Sequence, residues 1–142
     1  LQAGLNVGLG TDGCSSNNTL NMFKEMAICS FVQKVNAMNP TVLPAEEILN
    51  MATIGGAKVL RWDDEIGTLE VGKKADLILV DIDKPHFAPW NNPVSDLVYS
   101  AQGSDVKTTI VNGKILMKDY EVLTLDVERI MAETERIARN VL

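Results

Sequence analysis

Histidine is nearly missing from this sequence, cysteine is scarce and long apolar runs are absent. Each shortage removes a class of function. His86 is the one histidine. No HxH, HExxH or Cys/His cluster surrounds it, so the chain cannot assemble by itself the three or four ligands that zinc takes in proteins. A lone histidine in a proline-rich loop reads as a surface or packing residue. Cys14 and Cys29 are the only cysteines, too few for a disulfide-stapled secreted fold, and they form no CxxC. Two free thiols in a reducing cytoplasm are expected. No apolar run approaches the roughly 18 residues of a membrane span, and no signal peptide is visible. Membrane is therefore not an expected partner. Basic stripes are missing too: Lys73-Lys74 is the only adjacent basic pair, and the net charge is −6. Nothing is laid out to neutralise phosphates, which argues against nucleic acid. No Gly-x-Ser-x-Gly elbow or Ser-His-Asp set can be assembled.

What is present suffices for one core. A length of 142 residues falls short of a complete (β/α)8 barrel, which needs roughly 250. The chain opens inside a strand-like sequence, so a fragment is expected. Leu5 to Leu9 reads as a buried strand ending at Gly10-Thr11-Asp12-Gly13. A loop follows through Cys14 to Asn18, rich in helix-capping residues. Phe23, Met26, Ala27, Phe31 and Val35 recur at helical spacing and define one apolar face; Asn39-Pro40 stops that helix. Pro44 opens a second helix, with Glu46 and Glu47 suited to its positive end and Ile48, Leu49 and Ala52 on its apolar side. Gly55-Gly56 interrupts the pattern before a further short turn.

The character changes after Trp62. Ile66 to Lys74 reads as extended pieces and a turn. Leu77 to Val80 is a strand, and Pro85 to Pro93 is a loop. Val106–Val111 and Lys114–Met117 flank Asn112-Gly113, a strong short hairpin signal because both residues accept positive φ. Val122 to Leu125 adds another extended piece. Asp126 caps a last helix with Val127, Ile130, Met131, Ile137, Ala138 and Val141 on one side. Trp62, Trp90, Phe87 and Tyr99 are expected as core or loop anchors. The expected division is 1–61, 62–125 and 126–142.

Asp12 is the leading site candidate. A carboxylate just past the end of a buried strand can bind a divalent metal, and can carry a proton from water to a leaving amine. On Gly-Thr-Asp-Gly alone an Asx-turn explains it better. Ser16 and Asn17 could line a substrate loop; helix capping explains them equally well. Gly8 to Gly13 matches G-x-G-x-x-G literally. However, Ser15 to Asn18 intervene before helical spacing begins, Asp12 would face a negative ligand, and the acidic ribose partner is missing.

Together these pieces resemble a family. Leu9-Gly10-Thr11-Asp12-Gly13, Ser16-Asn17-Asn18, Met22-Phe23 and Glu25-Met26 are similar to the last barrel strand and following helix of amidohydrolases, of the kind typified by 5-methylthioadenosine/S-adenosylhomocysteine deaminases and related chlorohydrolases. Met51-Ala52-Thr53 with Gly56-Ala57 resembles the next helix. Ile66 to Leu77 resembles the return into that family's small β-domain, and Val111-Asn112-Gly113-Lys114 its closing hairpin. The resemblance implies an α/β fold: the last strand and helices of a metal-dependent (β/α)8 barrel, plus part of the small composite β-domain. It reverses the balance at Asp12, which matches the family's metal-binding and catalytic aspartate. It also implies a divalent metal, commonly zinc, whose histidine ligands and general-acid glutamate have no counterpart here. Cys14 stands where a small residue is expected. The implied activity is a full-length cytoplasmic hydrolase acting on a small molecule: a purine nucleoside or a triazine-like ring. The isolated chain is then inactive and holds no metal tightly. The alternative is a non-catalytic structural module. An unpaired strand at Leu5–Leu9 and an uncovered Phe23/Phe31 face lead us to expect a homo-oligomer.

Overall fold

The structure is a computed structural model, and it describes residues 3–141. Backbone capping and a small mixed core position its elements. Helix α1 (Cys14–Asn17) is a single turn. Helix α2 (Met22–Ala37) begins where the Asn21 side chain accepts hydrogen bonds from the Phe23 and Lys24 amides. It ends at Met38 in the left-handed region. Helix α3 (Ala45–Asn50) runs through a π-helical turn (Met51–Gly55) into α4 (Gly56–Leu60). Gly55-Gly56 therefore does not break this helix. A widened turn absorbs the extra residue, a known way to keep a helix continuous past an irregularity.

Leu77–Val80 forms β1, Val106–Val111 β2, Lys114–Lys118 β3 and Glu121–Val122 β4, in one antiparallel sheet of that order. The β2–β3 turn carries Asn112 at φ 49° and Gly113 at φ 75°, as two-residue hairpin geometry requires. Of the expected extended piece Val122 to Leu125 only Val122 lies in a strand, β4, and Ile66 to Lys74 holds bends and a turn without strand pairing. The loop from Pro85 to Pro93 holds a 3-10 turn (Pro85–Phe87) and leads into helix α5 (Pro93–Tyr99). Asn92 caps α5 from the Ser95 amide, and Pro93 sits in its first turn, where a missing N–H costs nothing.

The core joins these parts. Phe23 and Met26 of α2, Ala45 and Ile48 of α3, and Met51 pack with Phe87, Val98 and Ala101. The apolar face of α2 differs from the expected one: Ser30 is fully buried, whereas Phe31 and Val35 are exposed. The buried stripe is turned toward α3 and α5, and Ser30 is tolerated inside because its hydroxyl meets Tyr99 Oη at 3.0 Å. Phe31 instead stacks on the Tyr99 ring, 5.8 Å between centroids. Phe87 and Tyr99 are anchors as expected, whereas Trp62 lies exposed.

A second, polar junction ties the sheet to the 3-10 turns. Asp105, 2% exposed, accepts from the Gln102 amide at 2.8 Å and pairs with His86 Nε2 at 2.9 Å. Lys84 Nζ lies 3.4 Å from its other oxygen. His86 is thus a packing residue that also satisfies a buried carboxylate. Helix α6 (Val127–Val141) is capped by Asp126, whose carboxylate accepts from the Arg129 amide at 2.9 Å. Val127, Ile130, Met131 and Ile137 are all exposed along it; the side chain of Val141 lies outside the described residues.

Candidate active site

The segment Leu5–Leu9 does not form the expected buried strand. It lies in no sheet, and Leu5 is exposed. A strand needs a neighbour to take its N–H and C=O groups, and this segment is flanked by open grooves. One, of about 390 Å³, is lined by Leu5, Val7, Asn50, Ile54 and Lys58. The other, of about 990 Å³, is lined by Val7, Leu9, Cys29, Leu43 and Met51. What holds the segment is the helix beneath it. Leu9 N donates to Met51 O at 3.1 Å. A Cβ on Gly8 would stand 2.8 Å from Gly56 Cα, and one on Gly55 would stand 2.7 Å from Val7 O. The glycines therefore permit a backbone-to-backbone approach that no side chain allows.

This approach makes a sharp expectation. Gly8→Ala forces the segment off the helix and destabilises the chain by about 1–3 kcal/mol, the usual range for overpacking. Gly10→Ala, whose Cβ would meet nothing within 4 Å, is close to neutral. Chemical denaturation of the two variants side by side checks this; equal midpoints would show that the contact is not rigid.

Asp12 follows directly. It is exposed and holds a left-handed backbone, φ 56°, a conformation in which aspartate is among the few tolerated residues. Its Oδ1 accepts from the Gly13 amide at 2.7 Å, a contact to the next residue that orients the side chain, and Oδ2 has no hydrogen-bond partner among the described residues. The local contact orients the carboxylate and is compatible with either reading of this residue. Ser16 is exposed on α1, and its amide bonds Gly13 O at 3.0 Å. Asn17 is part-buried; its side-chain nitrogen donates to Thr11 O at 2.8 Å and to Glu25 Oε1 at 2.7 Å. The turn Cys14–Asn17, expected as loop, thus displays Ser16 outward and Asn17 inward.

Cys14 is exposed at the start of this turn. Burial, and after it the Glu25 carboxylate, push the Cys29 thiol above its ordinary value, so Cys29 is a poor thiolate nucleophile. His86 sits in the Asp105 junction and brings no nitrogen to Asp12. Among the described residues, no group of three or more His, Cys, Asp or Glu side chains is placed to hold a metal ion. Asp12 offers one hard oxygen donor, which fits one ligand position of a site and not a whole site.

The segment is pinned on a glycine pair and carries one oriented carboxylate, where the resemblance implied a barrel strand. The chain belongs to the amidohydrolase family, whose pattern matches residues 1–116. It is 53% identical over its whole length to 5-methylthioadenosine/S-adenosylhomocysteine deaminase of Thermoanaerobacter pseudethanolicus, covering 33% of that protein. It is 54% identical to 5'-deoxyadenosine deaminase of Methanosarcina barkeri over 138 residues, 97% of this chain and 32% of that protein. Among solved structures, a zinc-bound adenosine deaminase from Xanthomonas campestris superposes with a TM-score of 0.94 at 35% identity, over 99% of this chain and 32% of its own. A zinc complex of atrazine chlorohydrolase from Arthrobacter aurescens superposes with a TM-score of 0.86 at 30% identity, over 95% of this chain and 30% of its own. The chain thus spans about a third of the length of the curated relatives it matches. No helix among the described residues is long and apolar enough to cross a membrane.

Proposed function

We propose that this chain is the aspartate-bearing third of a metal-dependent hydrolytic deaminase acting on an adenosine-type nucleoside. Asp12 serves as a metal ligand and proton carrier, and Ser16 and Asn17 belong to the loop beside the substrate. The observation that carries the proposal is the oriented, half-free carboxylate of Asp12, in a chain 53% identical along its whole length to a protein named for adenosine-nucleoside deamination. In such a hydrolysis, water adds to the amine-bearing ring carbon, the carbon–nitrogen bond breaks, and ammonia leaves as a carbonyl forms. A divalent cation, when bound, supplies the Lewis acidity that makes water nucleophilic near neutral pH. Asp12 Oδ2 is the group in this chain that would take a proton from the attacking water and return one to the departing nitrogen, while the Gly13 amide holds Oδ1 still. The remaining ligands and the general acid belong to the other two thirds of the protein, so this chain alone turns over nothing. A cytoplasmic setting accords with two unpaired cysteines.

The test is ammonia release by the full-length protein from 5'-deoxyadenosine, 5-methylthioadenosine and S-adenosylhomocysteine, with atrazine as the contrasting ring. Turnover of the nucleosides is expected. Turnover of atrazine alone would move the protein to the chlorohydrolase side of the family.

The isolated chain is also proposed to self-associate. Both flanks of Leu5–Leu9 are open, Phe31 and Val35 are exposed, and a further apolar groove of about 550 Å³ opens between α2 and β1, lined by Met22, Phe23, Leu49, Ile66, Leu77 and Leu97. Apolar surface on this scale drives association. Light scattering at micromolar concentration should give a dimer or larger species. A compact monomer that unfolds cooperatively would contradict this.

A further inference from the structure

Asp12 stands in a strained turn with no sheet around it, so something must hold that turn. The candidates are few: Thr11 Oγ1 bonds only the neighbouring Asp12 carbonyl, at 3.1 Å, and the segment before it is tied at Leu9. The Ser16 and Asn17 amides tie the far side of the turn at Gly13 O, and the side-chain tie on the Thr11 side is Asn17. Its amide nitrogen has two protons, one directed to Thr11 O and the other to Glu25 Oε1. Glu25 lies in the first turn of α2, between Phe23 and Met26, both of which are buried in the core. The path is therefore continuous: packed helix, Glu25, Asn17, the Thr11 carbonyl, Asp12. The two links through Asn17 are hydrogen bonds of 2.7 and 2.8 Å; the links at either end are covalent. A carboxylate acceptor makes the Glu25 link a charge-assisted bond, stronger than an amide–amide one.

We infer that Asn17 and Glu25 are positioning residues that clamp the Thr11–Asp12 peptide to α2 and so fix the aim of the Asp12 carboxylate. The inference rests on the reading of Asp12 as the working carboxylate. It changes the role of Asn17: its amide nitrogen is spent on the clamp, and Ser16 is left as the substrate-facing member of the pair. Residues that orient a ligand without touching it commonly matter 10–100-fold, and small misplacements of a reacting group carry comparable losses.

The experiment uses full-length protein with isotope-labelled glycine, in which the Gly13 amide resonance reads its bond to Asp12. Glu25→Ala should shift and broaden the Gly13 signal, and should lower kcat by roughly 10–100-fold with a smaller change in KM. Glu25→Gln, which keeps an acceptor oxygen for Asn17, should restore most of both. The double variant Glu25→Ala/Asn17→Ala should be no worse than Asn17→Ala, because both cut one path. An unchanged Gly13 signal in Glu25→Ala would overturn the clamp, and so would a Glu25→Gln variant as impaired as Glu25→Ala. A disturbed Gly13 signal in a protein whose wild type releases no ammonia would leave the clamp standing and overturn the deaminase reading.

Discussion

Asp12→Asn in the full-length protein is expected to lower turnover by about 10²–10⁴-fold, the usual worth of general acid–base help, or by more if the metal is also lost. The substitution keeps the size of the side chain and can keep the Gly13 contact through its carbonyl oxygen. It removes the negative charge and the basicity of the second oxygen. Because the carboxylate is exposed and supports only the local turn, the fold should be unaffected, so circular dichroism and the unfolding midpoint should match wild type. A variant with near-wild-type kcat would mean that Asp12 is a turn residue and nothing more.

The largest loss of stability is expected from Asp105→Ala. Three partners converge on this buried carboxylate, from Gln102, His86 and Lys84. Its removal leaves the part-buried Gln102 amide without its acceptor. Charged hydrogen bonds are worth about 1.5–3 kcal/mol each, and His86 and Lys84 are each partly exposed and regain water. We expect a loss of about 3 kcal/mol on that basis. The same group makes stability depend on acid. Burial pushes the Asp105 carboxyl up, but the Gln102 amide, the His86 ring and the Lys84 ammonium outweigh it and hold it below its ordinary value of 3.8. A carboxyl whose folded value is depressed adds stability above its unfolded value, and that contribution fades as pH falls through the folded one. Urea midpoints measured from pH 7 down to pH 2 should fall below about pH 4 in wild type. In Asp105→Ala they should start lower and fall less steeply. Parallel curves would show that Asp105 is not the titrating group.

These two residues also mark how far the sequence could be read. The hairpin at Asn112-Gly113, the strand Leu77–Val80 and the Asp126-capped last helix were legible, because each depends on local chemistry: positive φ, β-branched runs and capping. The start of α2 was visible in its capping residues, but its buried side was not. Periodicity alone cannot say that Ser30 goes inside and Phe31 outside; the partner helices α3 and α5 decide that. Helix α5 was missed: the loop reading stops at Pro93 and no element is assigned to residues 94–99, although Asn92-Pro93 is a fair N-terminal signal. Leu5–Leu9 has strand chemistry without strand partners, which is a property of the surrounding chain and not of those five residues. At the proposed site, the motif around Asp12 alone read as a turn, and only the family resemblance made it the leading candidate. The Asn17–Glu25 bond and the Asp105 junction were not, since both join residues that no spacing rule connects.

On the proposed reading, this chain contributes a single ligand, Asp12, to a metal site completed elsewhere in the protein. Zinc content after exhaustive dialysis tests it most directly, in three samples: the full-length protein, its Asp12→Asn variant and the 142-residue chain. About one zinc per molecule is expected in the first, clearly less in the second, and none held stoichiometrically in the third. Stoichiometric zinc on the isolated chain, or undiminished zinc in the Asp12→Asn variant, would contradict the account.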